Sequence, residues 1–458
     1  MPAPHPDSIA DCVLAAFRAL PAKCKPRRLS DGRREWVPLA GIVLCRDMLT
    51  CAALATGSKC LPSAKLPLAK GNVLHDWHAE ILAIRAFNRW LVDECRELAR
   101  LGREGQGRWV RWRSDVERGR GGDRRRLKRG LEQGQTFPAT RVADGGAEKE
   151  EDKLDDDSGP DWQAQPFALA DNISLHLYVS DAPCGDASME LTMAAQPDAT
   201  PWPTTPSSSS PPDMPDMPGR GHFSLLGVVR RKPGRADAPS TLSKSCSDKL
   251  ALKQCTSLLS VVGSLLVHPG GVYLQRVVVP EESYVRGAME RAFGVGGRMA
   301  GLGNVGGGWG GGYGFGAFEV KTTERMFEYC KPVVGGSDGG KGVEAVGSNL
   351  SALWTRSGKL EVLINGVLQG RKQFDPRGAS CVSRRKVWES VREVLTSVDE
   401  AGLCDQEALR LVRDCTTYED LKAGRLLQAR ERVKRDVRNL ALRGWTRNQG
   451  DAEWGLSD

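Results

Sequence analysis

Two short stretches of the sequence carry side chains that can bind a metal ion and move protons. The first, VLHDWHAEILAIRAF at residues 73–87, places His78 and Glu80 two positions apart where an apolar helical pattern begins. The second, SDAPCGDASMEL at residues 180–191, places Cys184 in a Pro-Cys-Gly turn after an alternating, strand-like run. Imidazole nitrogen and thiolate sulfur are ligands of Zn²⁺, and a free carboxylate beside the metal can transfer protons. These residues indicate a zinc site, although a wet helix face and buried thiols would also explain them.

The spacing of these residues matches half of a known pattern. Zinc-dependent nucleobase deaminases carry H-x-E and P-C-x-x-C, in which one histidine and two cysteines bind the metal. Here Ala187 stands where the second cysteine would be, so a third ligand must come from elsewhere. Cys246 is the best candidate because SKSCSDKLAL places it at a polar turn directly before a long helical pattern, whereas Cys255 lies inside that pattern. The predicted ligands are therefore His78, Cys184 and Cys246.

Three protein ligands leave a fourth position open, as a catalytic zinc needs for its water. Such a metal lowers the pKa of its water from about 15.7 towards 7. Glu80 can take the proton and pass it to a ring nitrogen and to the departing amine, while hydroxide attacks C6 of adenine or C4 of cytosine. Because His78 and Glu80 lie on different sides of a regular helix, we expect the site at the helix end.

The overall composition favours an anionic partner. The 458 residues carry a formal net charge of +8 and a pI of about 8.8, which favours nucleic acid without proving it. Thirteen cysteines without short regular spacing do not indicate a secreted disulfide framework. The sequence has no apolar run of about eighteen residues and no signal-peptide pattern at its start. We expect an intracellular protein with no membrane segment, in the nucleus, the cytoplasm or both.

Strands alternate with helices along the chain, which predicts an α/β fold with a mixed sheet flanked by helices and a C-terminal helical layer. Strands are predicted within 37–47, 49–61, 173–179, 271–280 and, as a pair, 360–374. Helices are predicted at 9–21, from Trp77 to about Leu98, over 243–267, and at about 383–396, 405–414 and 418–443.

Two compositional insertions interrupt these elements. Residues from about 100 to 163 are first Arg-rich and then acidic, and residues from about 195 to 220 are rich in Pro and Ser. Neither segment can bury much apolar surface, so both are predicted to be disordered. The Gly-rich stretch at about 296–316 is predicted to loop out. The whole chain, 1–458, is then one domain that carries long insertions.

With these residues in place, the sequence resembles the adenosine deaminases that act on RNA, and within them the branch that acts on tRNA. The matching text is HDWHAEIL, SDAPCGDASM, VRRKPGRAD and SCSDKLA in family order, with ATGSKC upstream, spanning roughly residues 38–280. The resemblance implies a fold of the cytidine-deaminase type. It also implies conversion of adenosine to inosine 3′ of the anticodon, at position 37 of tRNA-Ala.

The resemblance also implies a set of cofactors. Zn²⁺ would be bound by His78, Cys184 and Cys246, with Glu80 as the proton shuttle. Family members bury an inositol hexakisphosphate, and Asp76 with Lys249 would link it to the zinc ligands. The matching candidates for this polyphosphate are Arg85, Lys249, Arg384, Lys422, Arg432 and Lys434, with Tyr418 and Trp445 beside them. The chain departs from the family where Ile84 and Leu252 replace common arginines, Leu252 having Lys253 beside it.

The resemblance further identifies residues for RNA. Ser58 and Lys59 match a family position that approaches the target nucleotide, and Lys232 and Arg235 lie on a loop that could bind phosphate. Ser188, where the messenger-RNA editing enzymes carry arginine, favours a tRNA substrate, and no double-stranded-RNA-binding domain is recognisable. The alternatives are editing of double-stranded or messenger RNA, and tRNA binding without chemistry. No obligate protein partner is inferred.

Overall fold

The computed structural model describes residues 3–119, 161–195, 225–232, 238–303, 308–331 and 345–457, together with residues 219 and 305. Its α-helices are α1 (Pro6–Arg18), α2 (Ala79–Arg100), α3 (Met189–Ala194), α4 (Cys246–Thr256), α5 (Arg286–Phe293), α6 (Arg384–Glu400), α7 (Gln406–Asp414), α8 (Tyr418–Ala423) and α9 (Gln428–Leu440). Short 3₁₀ helices cover Ala22–Cys24, Ser63–Leu68, Asp186–Ser188, Gly263–Leu265, Glu281–Ser283, Arg298–Leu302, Pro376–Gly378 and Arg425–Leu427.

The strands confirm the predicted α/β class. They are β1 (Arg34–Trp36), β2 (Leu39–Cys45), β3 (Leu49–Thr56), β4 (Val110–Trp112), β5 (Phe167–Leu169), β6 (Ser174–Val179), β7 (Leu274–Pro280), β8 (Glu319–Thr323), β9 (Ala345–Gly347), β10 (Ser351–Thr355), β11 (Leu360–Ile364) and β12 (Val367–Leu368). Eight of them form one mixed sheet in the order β12-β11-β10-β3-β2-β6-β7-β8. The β6, β7 and β8 strands run parallel, and the remaining neighbours are antiparallel.

The central strands are apolar on both faces because each face is covered by a helix. Along β2, Ile42 belongs to the core cluster that contains α2, whereas Val43 belongs to the cluster that contains α1. Successive side chains of a strand point to opposite faces, so both faces of β2 are buried. Gly41 allows the close approach of α1, since a Cβ there would lie 2.5 Å from the side chain of Val13.

The predicted long helix over 243–267 is wrong in its second half. The helix α4 ends at Thr256, and Ser257 has a φ of +56° in the left-handed region. The following residues Val261, Val262 and Gly263 do not favour helix, because β-branched side chains lose rotamer freedom and glycine loses backbone entropy there. The break leaves carbonyl groups of this segment available to side chains, as described below.

The prediction of disorder from about 100 to 163 is wrong at its start. Trp109 and Val110 are buried, and β4 pairs with β5 in an antiparallel ladder. The ring of Trp112 stacks on Phe167 with centroids 4.5 Å apart. The aromatic and β-branched residues of this segment lie between arginines, so the composition did not predict a strand here. Residues 120–160, and most of the predicted insertion at 195–220, lie outside the described residues.

The Gly-rich stretch packs against the protein, contrary to its prediction as an extended loop. Trp309 and Tyr313 are buried in its described part. A Cβ at Gly312 would lie 2.2 Å from the ring of His268, and φ is +80° there. Glycine is used here because the backbone passes directly against another side chain. Near the C-terminus, the helix predicted over 418–443 is divided at Gly424 into α8 and α9.

The C-terminal residues form a strap across α6 and α8. Trp454 stacks on Tyr418 with ring centroids 4.9 Å apart, and Trp388 donates a hydrogen bond of 3.1 Å to the carbonyl of Leu456. Asp451 is buried and accepts a hydrogen bond from the backbone of Gly71. The strap thereby ties the end of the chain to the segment that leads into α2.

We expect Trp454→Ala to lower the free energy of unfolding by about 3–5 kcal/mol, the usual cost of truncating a buried aromatic side chain. Trp454 is buried and lies against Gly71, where a Cβ would approach the indole within 2.5 Å. Urea denaturation provides the measurement, and the exposed neighbour Glu453 provides the control. Glu453→Ala should change stability by about 0.5 kcal/mol or less. Equal stability of both variants would show that the strap is not anchored by Trp454.

Candidate active site

The candidate site lies where the end of β6 meets the first residues of α2 and α4. The backbone of His78 is extended directly before α2, and Glu80 is in the first turn of that helix. Cys184 follows β6, and Cys246 is the first residue of α4. All four residues lie at or next to the ends of these elements, where the sequence pattern predicted the His-x-Glu pair to lie.

A glycine and a serine bring the two cysteine segments together. Gly185 has a φ of +104°, and a Cβ on it would lie 2.2 Å from the hydroxyl of Ser245. Ser247 donates hydrogen bonds to the carbonyl of Pro183 at 2.9 Å and, from its backbone, to the carbonyl of Cys184 at 3.0 Å. Only glycine tolerates that conformation and approach without strain. Although 62 positions separate the two cysteines, their backbones are thus in direct contact.

The two thiols interact directly. A hydrogen bond from the thiol of Cys246 lowers the pKa of Cys184 to about 6, and the charge of Lys232 acts in the same direction against the effect of burial. Burial and the neighbouring sulfur of Cys184 raise the pKa of Cys246. The backbone N–H of Cys246 also donates to the sulfur of Cys184 at 3.3 Å. Cys184 is therefore favoured as a thiolate, the form in which cysteine binds metals.

The imidazole of His78 is oriented by its Nδ1 atom. That nitrogen lies 3.0 Å from Oδ1 of Asp76 and 3.3 Å from the carbonyl oxygen of Lys59. Burial and Lys232 oppose a charge on the ring, but Cys60 and Asp76 raise the pKa of His78 to about 10. A histidine side chain that binds a metal must be in its neutral form. Binding of a metal through Nε2 would thus displace a proton, with Asp76 retaining the ring orientation.

Asp76 is the centre of a buried charge network. Its Oδ2 atom accepts a hydrogen bond of 2.8 Å from Lys232 and contacts the ammonium group of Lys249. Burial opposes ionisation, but the charges of Lys232 and Lys249, then that of His78, hold the pKa of Asp76 well below its usual value. Lys232 also lies 3.1 Å from the sulfur of Cys246. One lysine thereby connects the carboxylate to the cysteine pair.

Glu80 is available for proton transfer. Its side chain is buried, with 7% of its surface exposed, and makes no hydrogen bond within the part of the chain that the structure describes. Burial, and then the charge of Glu80, raise the pKa of Asp181 beside it. The same charge opposes ionisation of both Cys184 and Cys246. Glu80 therefore lies within electrostatic reach of the cysteine pair.

A second possible metal group shares His78. Among the described residues, the ligand atoms of Cys60, Asp76 and His78 all lie within 4.8 Å of one another, whereas those of the predicted set His78, Cys184 and Cys246 do not form such a group. This group would use Nδ1 of His78, which already faces Asp76, and it has the ammonium groups of Lys232 and Lys249 on the same carboxylate. These two ammonium groups disfavour a further cation on Asp76, while of the two only Lys232 also lies near the cysteine pair, 3.1 Å from the sulfur of Cys246. The cysteine pair offers sulfur ligands and leaves Nε2 of His78 for the metal, which is the more favourable donor set for zinc.

A cluster of cations lies beneath this site, between α2, the residues after α4, and α9. Burial and like charges, chiefly Arg430 and Lys434, hold the pKa of Lys253 well below its usual value. Burial and Arg430 lower the pKa of Lys434 to about 8, and burial and Arg384 lower that of Arg85 to about 10. That these cations lower one another's pKa values indicates an excess of positive charge in a poorly solvated space.

The cluster is held rigidly by backbone carbonyl groups. Arg430 donates to the carbonyl of Thr256 at 2.7 Å and of Leu259 at 2.8 Å, and Lys253 donates to Leu259 at 2.7 Å. These acceptors are exposed by the break after α4. The Nε atom of Arg85 has no hydrogen-bond partner among the residues described here. An unpaired buried donor within a set of cations fits an anion that binds there.

Three further residues predicted to bind the polyphosphate contact other side chains of the protein. Arg432 forms an ion pair of 3.0 Å with Asp161, and Lys422 forms one of 2.6 Å with Glu419. Trp445 is only partly buried and faces the guanidinium of Arg438. Arg384 and Lys422 each lie 5.9 Å from the ring centre of the buried Tyr418, and Arg384 also pairs with Asp451 at 3.0 Å.

Sequence reasoning did not assign Arg430 to this cluster, nor give Lys253 a role in it. The signal was present in the spacing, because Arg430, Lys434 and Arg438 recur every four residues of α9. Four-residue spacing places them on one helix face. That face adjoins the buried residues Val433 and Val437. The same pattern occurs on amphipathic surface helices, so only the burial of Arg430 distinguishes this face.

The structure describes three of the four residues that were predicted to contact RNA. Ser58 and Lys59 lie partly buried in the loop after β3, and the carbonyl of Lys59 accepts from the backbone of Trp77 at 3.0 Å. Lys232 is buried and engaged with Asp76, so its predicted contact with RNA phosphate is wrong. Arg235 lies outside the described residues.

His75, three residues before His78, connects the site to the C-terminal strap. Its Nε2 atom lies 2.5 Å from Oδ2 of Asp451, and Arg384 binds the same carboxylate at 3.0 Å. Burial and then Arg384 lower the pKa of His75 to about 4, so the ring is neutral at pH 7. His75 thereby positions the segment that carries His78.

Comparison with known proteins shows the family of this chain. The family model described as the adenosine-deaminase (editase) domain matches residues 53–115 and 157–449. The chain belongs to this family. The matched ranges include Glu80, both cysteines of the pair and the cation cluster. Membership of the family makes the chain a hydrolytic adenosine deaminase.

Curated relatives point to one branch of the family. This deaminase is 35% identical over 385 residues to tRNA-specific adenosine deaminase 1 of Schizosaccharomyces pombe, with 82% of each chain covered. It is 28% identical over 301 residues to tRNA-specific adenosine deaminase 1 of Saccharomyces cerevisiae, covering 63% of this chain and 62% of that protein. Double-stranded RNA-specific adenosine deaminase of Mus musculus is 27% identical over 186 residues, 40% of this chain and 11% of that protein. No helix in the described ranges is long and apolar enough to span a membrane.

Proposed function

We propose that this deaminase converts adenosine to inosine in tRNA, at the nucleotide 3′ of the anticodon of tRNA-Ala, in a zinc-dependent reaction. The observation that carries the proposal is the contact between Cys184 and Cys246 at the ends of β6 and α4, within electrostatic range of His78 and of the carboxylate of Glu80. The branch follows from similarity, since the yeast relatives that match most of this chain are named for tRNA. The proposal treats the chain as one catalytic domain.

The donor set fits zinc. Nδ1 of His78 is occupied by Asp76, which leaves Nε2 for the metal, and the two sulfurs already contact each other. Asp76 would act as the outer carboxylate that fixes a histidine ligand. When bound, Zn²⁺ supplies a Lewis acid that lets water lose a proton near neutral pH.

Glu80 carries the proton through the reaction. Its carboxylate takes a proton from water, the water oxygen forms a bond to C6 of adenine, and Glu80 delivers the proton to N1 of the ring. The bond between C6 and the amino nitrogen then breaks, and the amine leaves as ammonia after a further proton transfer. Water and adenosine are thus converted into inosine and ammonia. Burial of Glu80 excludes bulk water from this exchange.

A buried Glu80 requires that the target base leave its stack. Extrusion costs a few kcal/mol and is cheapest for a base that is already unpaired. The anticodon loop offers such bases. Ser58 and Lys59, on the loop beside His78, are proposed to contact the extruded nucleotide, since the carbonyl of Lys59 lies 3.3 Å from Nδ1 of His78.

The cation cluster is proposed to hold inositol hexakisphosphate. Arg85, Lys253, Arg384, Arg430 and Lys434 provide the charges, and Lys249 connects them to Asp76. Several buried cations with lowered pKa values destabilise one another unless an anion balances them. The cofactor would therefore act in folding and in fixing Asp76, with no part in the proton transfer.

We expect Arg430→Gln to lower the bound phosphorus per chain and to lower the melting temperature. The variant loses a cation and two hydrogen bonds to the carbonyls of Thr256 and Leu259. Phosphorus is measured by elemental analysis of the purified protein, and the exposed Arg435 on the same helix is the control. Arg435→Gln should keep both values. Full phosphorus content in Arg430→Gln would contradict the assigned site.

The substrate is tested with three RNAs and the wild-type protein. An unmodified tRNA-Ala transcript, the same transcript with guanosine in place of the target adenosine, and a long RNA duplex are incubated with the zinc-loaded enzyme. Inosine is expected only in the first RNA. Inosine in the duplex and none in tRNA-Ala would replace the proposal by duplex editing, and no inosine in any RNA despite bound zinc would favour a tRNA-binding protein without this chemistry.

A further inference from the structure

Phe374 is an exposed aromatic side chain in a basic loop. With 36% of its surface exposed, it is the only exposed aromatic residue in the part of the chain that the structure describes. It lies between β12 and α6, next to the exposed residues Arg371, Lys372 and Arg377. Scattered apolar side chains on a surface are ordinary, but an aromatic ring among cations is the composition that binds unpaired nucleotides.

The loop around Phe374 has a defined backbone. Asp375 accepts a hydrogen bond from the N–H of Arg377 at 2.9 Å, and the N–H of Arg371 donates to the carbonyl of Leu368 at 3.1 Å. The amide of Gln373 donates to the carbonyl of Asn365 at 2.9 Å and accepts from Lys65 at 3.2 Å. The ring is thus presented by an anchored loop, which reduces the entropy lost on binding.

The same anchors connect the loop to the active site. Asn365 and Gly366 form the turn between β11 and β12, and the N–H of Leu74 donates to the carbonyl of Gly366 at 3.1 Å. Leu74 precedes His78 by four residues. Lys65 follows the ATGSKC loop, which carries Ser58 and Lys59. The Phe374 loop therefore adjoins both chain segments that border the reaction site.

The charges of this surface favour RNA. Arg371 and Lys372 make no side-chain hydrogen bond or ion pair with any residue in the described ranges, and Lys65 and Lys70 add exposed ammonium groups on the adjoining segment. Asp375 is compensated by Arg377 at 2.8 Å, which, as a hydrogen-bond donor, lowers the pKa of that carboxyl to about 2. Arg371 and Lys372 are therefore available to contact phosphate groups, with Lys65 and Lys70 nearby.

We infer that the loop 368–378 is a second RNA-binding surface, on which Phe374 stacks against an unpaired base of the tRNA while Arg371 and Lys372 bind the adjoining phosphates. The inference rests on the proposed tRNA substrate. It assigns this surface to substrate affinity and not to the chemical step, because Phe374 has no contact with the residues that bind metal or move protons.

The test measures tRNA-Ala affinity by fluorescence anisotropy over a range of salt concentrations. Phe374→Ala should weaken binding about tenfold, the usual effect of losing one stacked base, and Phe374→Trp should retain wild-type affinity. Arg371→Ala with Lys372→Ala should reduce the slope of log affinity against log salt by about 0.7 for each phosphate group that the variant no longer neutralises. Leu101→Ala is the control, since Leu101 is 63% exposed and lies at the opposite end of α2 from His78.

The kinetics of inosine formation distinguish a failure of this binding surface from a failure of the proposed function. Phe374→Ala should raise KM and keep kcat. Wild-type affinity in Phe374→Ala, an equal loss in Phe374→Trp, or an equal loss of affinity for a fully paired duplex would each overturn the stacking surface while wild-type inosine formation stands. Absence of inosine in wild-type reactions with tRNA-Ala would instead overturn the proposed function.

Discussion

Replacing Glu80 by glutamine is expected to slow inosine formation by about 10²–10⁴-fold, because the variant lacks the group that moves the proton. The amide keeps the size of the carboxylate, and Glu80 has no hydrogen bond within the described ranges that the change could break. Fold and zinc content should therefore remain those of the wild type. Single-turnover kinetics on tRNA-Ala, with zinc measured per chain, provides the check.

Glu97 is a suitable control for that substitution. It lies on the same helix, its side chain is 67% exposed, and it pairs only with Arg100 in the described structure. Glu97→Gln should leave the rate unchanged. A Glu80→Gln enzyme that retains more than about a tenth of the wild-type rate would remove Glu80 from the mechanism, since proton transfer by a positioned group accounts for at least about 10².

Asp76→Asn is expected to weaken zinc binding by about 10–100-fold and to lower the free energy of unfolding by about 3–5 kcal/mol. The first effect follows from loss of the carboxylate that orients His78. The second follows because Lys232 and Lys249 become buried charges without their partner. Competition with a zinc chelator measures the first effect, and urea denaturation of chelator-treated protein measures the second.

The pH dependence of the Asp76 effect has a definite sign. Because the pKa of Asp76 is lowered in the folded protein, its stabilisation is fully present above the unfolded pKa of about 3.9 and is lost as pH falls towards the folded value. The stability difference between wild type and Asp76→Asn should be largest between about pH 5 and 6.5 and shrink below about pH 4. It should also shrink above about pH 6.5, because Asp76 helps to raise the pKa of His78 to about 10 and that stabilisation is lost as pH rises. Asp171→Asn, which changes a 73% exposed partner of Arg111, should cost less than about 1 kcal/mol. A difference no larger than that control would contradict the buried network.

The elements that present the site could be predicted because their signals are local. Alternation of apolar residues in β6 and helical periodicity after Trp77 indicated both elements, and their ends lie where the chemistry-bearing residues occur. The pairing of Cys184 with Cys246 could be suggested because each lies at a polar helix start. That the two segments touch depends on Gly185 and Ser245, whose close approach is visible only in three dimensions.

Other features could not be predicted because they depend on distant contacts. Lys232 was predicted to lie on a loop that could bind RNA phosphate, yet the folded chain buries it between Asp76 and Cys246. Arg430 looked like a surface residue of an amphipathic helix, but the break after α4 provides carbonyl groups that bind it. In both cases a charged side chain is buried because a specific partner satisfies it, and such a partner leaves no local pattern.

The most direct test of zinc-dependent deamination at this site compares Cys246→Ser with Cys60→Ser. Zinc per chain and inosine formed in tRNA-Ala are measured for both variants and for the wild type under identical conditions. If His78, Cys184 and Cys246 hold the metal, Cys246→Ser loses zinc and inosine formation, whereas Cys60→Ser keeps both. Loss of zinc and activity in Cys60→Ser, with both retained in Cys246→Ser, would place the metal at Cys60, Asp76 and His78 and contradict the mechanism described here.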